Sequence, residues 1–374
     1  MRKLYLGILL TSGSISIANA QSSVTLYGII SVGMEAVNNA GGKSSYQMVS
    51  GALQPSRFGF RIREDLGAGN AVVADLENGF DNINGTLGQG GRLFGRQAWV
   101  GLSNPTWGTF TAGRQYDSFW DYFTSMATAV GNVGMVDHPG DADNLIGTWR
   151  YSNSVKYVTP TFHGLNGEAL YAFSNAPGAF GVNRAYSFGT GYQTDRFRVA
   201  LAYVELDRPG TTNPNGAVSN DYGGAPFLQF RSSPLNPSVG VRRQRNYGIG
   251  GYYDFGNGLR WTAMIDQVRF NYLDQSSFTL TNYDTSFSYN ITPSLLLVGA
   301  YIYSHGQYGG LNASSHWNTG VVSLDYYLSK RTDISLTDNF QHASGSLAQA
   351  GFYLNVPSTS GTQNIVMVGM RHKF

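Results

Sequence analysis

The sequence predicts an all-β protein, a 16-stranded antiparallel transmembrane β-barrel with a long inward-folded constriction loop. Three observations carry that expectation. Apolar and polar residues alternate over many strand-length segments, aromatic residues gather at the ends of the apolar faces, and long connections alternate with tight turns.

Composition agrees. The 374 residues include 48 Gly, 24 Tyr and 21 Phe, whereas charged residues make up only 13%. Amphipathic helices would want more Glu, Lys, Ala and Leu; strands, tight turns and interfacial aromatics suit this mixture. Cysteine is absent, which excludes disulfide and thiolate chemistry. No Pro-rich, Ser-rich or charged linker divides the chain, so one domain is expected over residues 21–374.

Residues 1–20 read as a cleaved signal peptide. Arg2 and Lys3 precede an apolar run from Leu4 to Leu10, and Ala18-Asn19-Ala20 supplies the small-residue cleavage pattern. The run is too short to span about 30 Å of hydrocarbon. Removing Arg2 and Lys3 lowers the basic count from 25 to 23, equal to the 23 acidic residues. A neutral chain without a concentrated basic face argues against a nucleic-acid partner.

The strands follow from alternation. Phe197, Val199, Leu201 and Tyr203 share one face, as do Tyr247, Ile249, Gly251, Tyr253 and Phe255; Val322, Leu324, Tyr326 and Leu328 repeat the pattern. The opposite faces read as polar and small, with no second apolar layer to pack on. A soluble sandwich turns its apolar face inward, whereas apolar faces ending in Trp261, Tyr253 and Phe374 suit the aromatic girdle of a membrane barrel. Candidate strands lie near 23–37, 46–65, 70–83, 92–104, 107–116, 151–161, 165–174, 183–194, 196–206, 243–255, 258–270, 277–291, 293–304, 314–329, 331–343 and 362–374.

A barrel of about 16 to 18 strands is too wide for its side chains to fill, so it encloses water unless a segment folds in. The connection over about 117–150 is the candidate. Its first half, with Phe119, Tyr122, Phe123, Met126 and Val130, has helical spacing, and Gly131 and Gly134 end it. Such a segment needs a surface for its apolar side, and the inner wall offers one; an exposed surface loop with a short helix is the alternative.

Six segments then match a known family in order: Ser23-Val24-Thr25-Leu26-Tyr27-Gly28, Ser56-Arg57-Phe58-Gly59-Phe60, residues 93–102 (LFGRQAWVGL), Gly113-Arg114-Gln115-Tyr116, Asn153-Ser154-Val155-Lys156-Tyr157 and Gly369-Met370-Arg371-His372-Lys373-Phe374. Together they resemble the trimeric general porins of Gram-negative outer membranes, in particular the β-proteobacterial branch. The resemblance covers essentially the whole chain after residue 20. It implies an integral outer-membrane barrel, a homotrimer among lipid and lipopolysaccharide, and passive diffusion of small hydrophilic solutes and ions. It also implies that Phe374, on the face of Val366, Val368, Met370 and His372, is the signal read by the assembly machinery; an ordinary edge strand is the alternative.

Selectivity in such a pore comes from charges lining a wet constriction. Arg57, Arg61 and Arg63 alternate with Phe58, Phe60 and Ile62 and so share the lumen face. By resemblance, Arg57 and Arg96 match a basic cluster opposite the inserted loop. Arg150, where the loop rejoins the wall, completes the expected basic wall of Arg57, Arg61, Arg96 and Arg150. Asp117, Asp121, Asp137, Asp141 and Asp143 on the loop are the expected acidic side, and facing walls of opposite sign would set a transverse field. Enteric members carry a Pro-Glu-Phe-Gly-Gly-Asp type tip, whereas Ala129-Val130-Gly131-Asn132-Val133-Gly134 here holds no acid. That weakens the negative wall and favours anions. The alternative is that the arginines form rim ion pairs.

Arg114 resembles a position in subunit contacts, and the loop from Asn84 to Gly91 resembles one that latches onto a neighbour. Arg242, Arg243 and Arg245 form a second basic group, open to three readings: an entrance funnel, a contact with lipopolysaccharide phosphates, or a solvated run. An enzyme would need a nucleophile and base brought together. The six histidines, His138, His163, His305, His316, His342 and His372, are scattered without catalytic or metal-ligand spacing, so neither metal nor cofactor is expected. A plugged receptor needs a longer chain, and a soluble adhesin leaves the last strand unexplained.

Overall fold

A computed structural model describes residues 22–128, 136, 138–210, 213–218, 220–225 and 227–374. The expected signal peptide, Asp137 and the loop tip 129–134 lie outside the described residues. Within them the chain forms seventeen strand segments: β1 (Ser23–Ala40), β2 (Lys43–Ser50), β3 (Arg57–Gly67), β4 (Asn70–Gly79), β5 (Gln97–Asn104), β6 (Gly108–Gln115), β7 (Tyr151–Val158), β8 (Leu165–Ala172), β9 (Arg184–Gln193), β10 (Phe197–Asp207), β11 (Val241–Asp254), β12 (Leu259–Tyr272), β13 (Ser277–Thr292), β14 (Leu295–Gly309), β15 (Ala313–Tyr327), β16 (Thr332–Gly345) and β17 (Thr362–Lys373). Each pairs antiparallel with its sequence neighbour except β2 and β3, which both pair with β1, and β17 returns to pair with Ile29–Val37 of β1, which closes the sheet. Along one edge of β1, β3 pairs with Ser23–Ile29 and β2 with the stretch from Val32 to Ala40. They are two halves of one wall strand, so the barrel has sixteen.

That second wall strand was expected to run unbroken over 46–65. It breaks over residues 51–56 because Gly51 takes a left-handed φ of +81° and Ser31 gathers the turn: Gly51 N–H donates to Ser31 O at 2.7 Å, Leu53 N–H to Ser31 Oγ at 3.1 Å, and Ser56 Oγ–H to Ser31 O at 3.1 Å. Ala52 and Leu53 are thereby buried, and Gln54 is carried to a polar hollow inside the barrel. The strand expected from 92 starts only at Gln97, since Arg96 N–H is drawn to Glu77 O at 3.1 Å.

Burial alternates along the wall. Val199 and Leu201 are exposed while Ala200 and Ala202 are buried; Val322 and Leu324 are exposed while Val321 and Ser323 are buried. An uncovered apolar face around a closed barrel is the lipid face. Tyr192, Phe197, Tyr253, Trp261, Phe287 and Tyr326 stand on it near the tight turns, forming an aromatic belt at that rim. The long connections 116–150, 208–240 and 346–361 leave from the other rim.

The inner face differs from the uniformly polar surface the alternation predicts. On β12 it runs from Arg260 and Thr262 at the tight-turn end to Val268 and Phe270 near the long connections. Phe270, Phe278, Trp317 and Tyr308 pack there against Ala142, Ala350 and Phe230, the last stacked on Phe278 at 4.2 Å. The long connections bring apolar side chains inward, and the wall they meet is apolar to match. Sequence alternation cannot distinguish such a wall from a lipid-facing one.

Candidate functional site

The connection after β6 enters on a short helix, Ser118–Phe123, shorter than the spacing through Val130 suggests. Asp117 caps it, its Oδ1 accepting from Trp120 N–H at 3.0 Å. Phe119, Tyr122, Phe123 and Met126 are buried in one cluster with Ala200, Ala202, Val204 and Leu206, the non-lipid face of β10. Glycines make room for them: a Cβ at Gly189 would lie 2.5 Å from the Tyr122 ring and one at Gly248 would lie 3.2 Å from Phe123. Ser118 Oγ and Ser187 Oγ, 3.0 Å apart, add a polar tie to the wall.

Burial pushes the Asp117 carboxyl up to about 6, against the hydrogen bond from Trp120 that holds it down. The folded chain therefore keeps a proton that the unfolded chain has released, and stability falls as pH rises from about 4 to about 6, then levels. Asp117→Asn keeps a capping acceptor and removes the ionisation. It should be more stable than wild type at pH 8 by at most about 3 kcal/mol and equal to it near pH 3. Thermal midpoints of the two chains at both pH values check this; an unchanged pH dependence would reject it.

Arg57, Arg96 and Arg150 converge on Glu77 and Tyr116. Arg96 Nε lies 2.7 Å from Glu77 Oε1 and Arg57 Nε 3.5 Å from Oε2. The Arg150 guanidinium donates to Tyr116 Oη at 2.6 Å and lies 4.8 Å from the ring centre, with that of Arg96 at 5.9 Å. Arg61 stands beside them, 3.6 Å from Asp75 and stacked on Tyr27 at 4.1 Å. Tyr27 Oη–H reaches Asp75 at 2.9 Å and Glu77 at 3.1 Å, joining the two pairs. Three guanidinium groups thus pair with two carboxylates, and Arg150 adds a fourth beside Tyr116, a local surplus of positive charge among the described residues.

Exposure divides the four. The Arg61 side chain is 66% exposed and that of Arg57 17%, whereas Arg96 and Arg150 are 2% and 1% exposed as residues. Arg61 faces open space; Arg96 and Arg150 act on it only through their charge.

The loop aspartates do not assemble into one exposed acidic side. Asp117 is the buried helix cap. Asp141 is also buried, its carboxylate accepting from Thr148 Oγ at 2.6 Å and Ile146 N–H at 3.2 Å. Asp143 is buried 2.5 Å from His138 Nδ1. Asp121 is partly exposed but sits 2.5 Å from Lys156 Nζ. Asp137 lies outside the described residues. Short acidic side chains in a folded-in loop satisfy that loop's own donors, which spacing alone does not reveal.

Arg114, expected at a subunit contact, finds its partners within the chain: Asp221 at 2.8 Å, Gly95 O at 2.8 Å and Ser152 Oγ at 2.9 Å. Burial against the 208–240 connection leaves it 8% exposed. Arg243 pairs with Asp207 at 3.0 Å and Glu205 at 3.2 Å, Arg245 meets Asn271 at 3.1 Å, and Arg242 is exposed. Phe374 closes the barrel by two backbone bonds with Gly28 at 3.0 and 3.1 Å, its ring so close that a Cβ at Gly28 would clash. Asp75, Glu77, Tyr27 and Tyr116 escaped the sequence reading, although Asp75 and Glu77 alternate on β4 and Asp75 stands directly opposite Arg61.

A hollow of about 350 Å³ lies between the loop and the wall, lined by Gln54, Thr124, Thr128, Arg260, Thr262 and Ser286. Hydroxyl, amide and guanidinium groups around such a space suit water and polar solutes.

A closed barrel with a lipid-compatible outside, a polar inner hollow and charges beside it is built as a channel across a membrane. The family described as Gram-negative porin matches residues 8–346, and the chain belongs to it. An outer membrane porin protein of Bordetella pertussis is 35% identical over 270 residues, 68% of this chain and 66% of that one. The anion-selective porin from Comamonas acidovorans has the same fold, with a TM-score of 0.74 and 22% identity over 95% of this chain and all of that one. The trimer form of Vibrio cholerae OmpT superposes with a TM-score of 0.67 at 12% identity, over 94% and 99% of the two chains. The protein is an integral β-barrel of the outer membrane, and a channel rather than an enzyme.

Proposed function

We propose that this porin passes small hydrophilic solutes and ions by passive diffusion and prefers anions. The observation that carries the reading is the surplus of guanidinium over carboxylate where Arg57, Arg61, Arg96 and Arg150 meet Asp75 and Glu77. Arginine keeps its charge at any working pH, so the surplus cannot be relieved by deprotonation. The segment 117–150, whose residues 119–127 pack on the inner wall beside the polar hollow, acts as the constriction. An anion-selective solved relative of the same fold supports the sign.

The chain works as a homotrimer, as the solved trimeric neighbour suggests. Residues 1–20 are removed on export, leaving one domain from residue 21. Phe374 at the seam carries the assembly signal, and exposed Arg242 on the long-loop rim meets lipopolysaccharide phosphates.

In a planar bilayer under a KCl gradient, the protein should give stepwise ohmic conductance and a reversal potential of the sign chloride sets. Arg61→Gln should move that potential toward cations with a modest loss of stability, because the Arg61 end of the 3.6 Å pair is exposed and buried Asp75 keeps its hydrogen bond from Tyr27. A cation-setting potential in the wild type would overturn the reading, and an unmoved one in Arg61→Gln would remove Arg61 from the conducting path.

A further inference from the structure

We propose that His138, Asp143 and Asp266 form a binding site for a divalent metal ion of the zinc or manganese class, which fastens the 117–150 connection to β12. His138 and Asp143 come from the connection and Asp266 from the inner face of β12, and one ligand atom of each lies within 4.8 Å of the others. All three are buried, at 2%, 0% and 1% exposure. His138 Nδ1 is 2.5 Å from Asp143 Oδ2 and 3.3 Å from Asp266 Oδ1.

The argument turns on how many donors the group has. Nδ1 can hold one proton, and the 2.5 Å contact assigns it to Asp143. Asp266 Oδ1 is then left buried without a hydrogen bond, although it points into the same space. An unserved carboxylate oxygen in a dry site is costly. A cation placed among Nδ1, Asp143 Oδ2 and Asp266 Oδ1 serves all three at once.

Charge balance points the same way. Asp284 is the fourth member, its Oδ2 3.6 Å from His138 Nε2 and accepting from Thr128 N–H at 2.9 Å. Three carboxylates against one imidazole hold an excess of negative charge even if the ring is protonated. The outer partners are those of a metal centre: Asp284 faces the ring nitrogen that would not bind the ion, and Asn282 Nδ2 donates to Asp266 Oδ2 at 3.0 Å. One imidazole with carboxylates suits zinc or manganese better than calcium, which takes six to eight oxygens. With no cysteine in the chain, a metal clip is the remaining strong cross-link between loop and wall.

The test uses the full chain, isolated folded from membranes and also refolded in chelator-treated buffer, then given Zn(II) or Mn(II) alone. After gel filtration, elemental analysis should find one retained ion per chain, with a higher thermal midpoint than the metal-free protein. Asp266→Asn, checked for folding by its heat-modifiable mobility, should lose the ion. His305→Ala with His316→Ala should keep it, which sets aside the exterior pair of stacked rings 4.8 Å apart. Absence of retained metal in the wild type overturns the proposal, whatever the variants do. So does retention by Asp266→Asn, or loss of the ion on removing the exterior pair.

Discussion

Arg96→Gln is expected to destabilise the barrel by about 3–5 kcal/mol, the cost of breaking a buried ion pair from one side. The side chain is 2% exposed, and its Nε is the nearest cation to Glu77, itself 4% exposed as a residue. Without it Glu77 keeps the longer contact with Arg57 at 3.5 Å and the phenol of Tyr27 at 3.1 Å, with Arg150 acting from further off. The cost lies in the stranded carboxylate more than in the lost arginine. Glu77→Gln in the same chain should therefore recover much of it, and the double variant should be more stable than Arg96→Gln alone. The midpoint of the heat-induced mobility shift reports both. A double variant no better than the single one would mean that Arg96 matters for its packing and not for its charge.

The pair also shows what was legible in the sequence. Arg57, Arg61 and Arg96 were readable as candidates because strand alternation and the family segments place them on the wall. Glu77 was not, because its role depends on the register of β3 with β4 and on a turn that brings Arg96 back over it. The barrel itself was legible for a similar reason: a period-two pattern survives any error in register. The break at 51–56 was hidden, since it depends on Ser31 in the neighbouring strand rather than on the segment's own composition. The loop aspartates were misread for the converse reason. Their spacing is compatible with an acidic side facing the arginines, but the burial of Asp117, Asp141 and Asp143 is decided by what the connection meets inside the barrel. Asp266 meets His138 and Asp143 only after 123 further residues of chain have circled the wall, a proximity that no spacing rule encodes.

The inner-wall glycines offer a direct test of whether the 117–150 connection governs conduction. Gly189 looks inward on β9, and a Cβ there would stand 2.5 Å from the Tyr122 ring and 2.9 Å from Ser118 Cβ. Valine suits a strand, so Gly189→Val should leave the wall intact and force the helix away from it, at an overpacking cost of about 1–3 kcal/mol. The wall is held by hydrogen bonds on both edges of β9, whereas the helix is six residues long. The helix is therefore the part that yields. It moves toward the hollow beside Thr124 and Thr128, so single-channel conductance should fall. Tyr122→Ala added to Gly189→Val removes the closer of the two collisions and should restore conductance. A fall that Tyr122→Ala does not reverse would trace the effect to the wall strand, and unchanged conductance in Gly189→Val would place the helix away from the path that ions take.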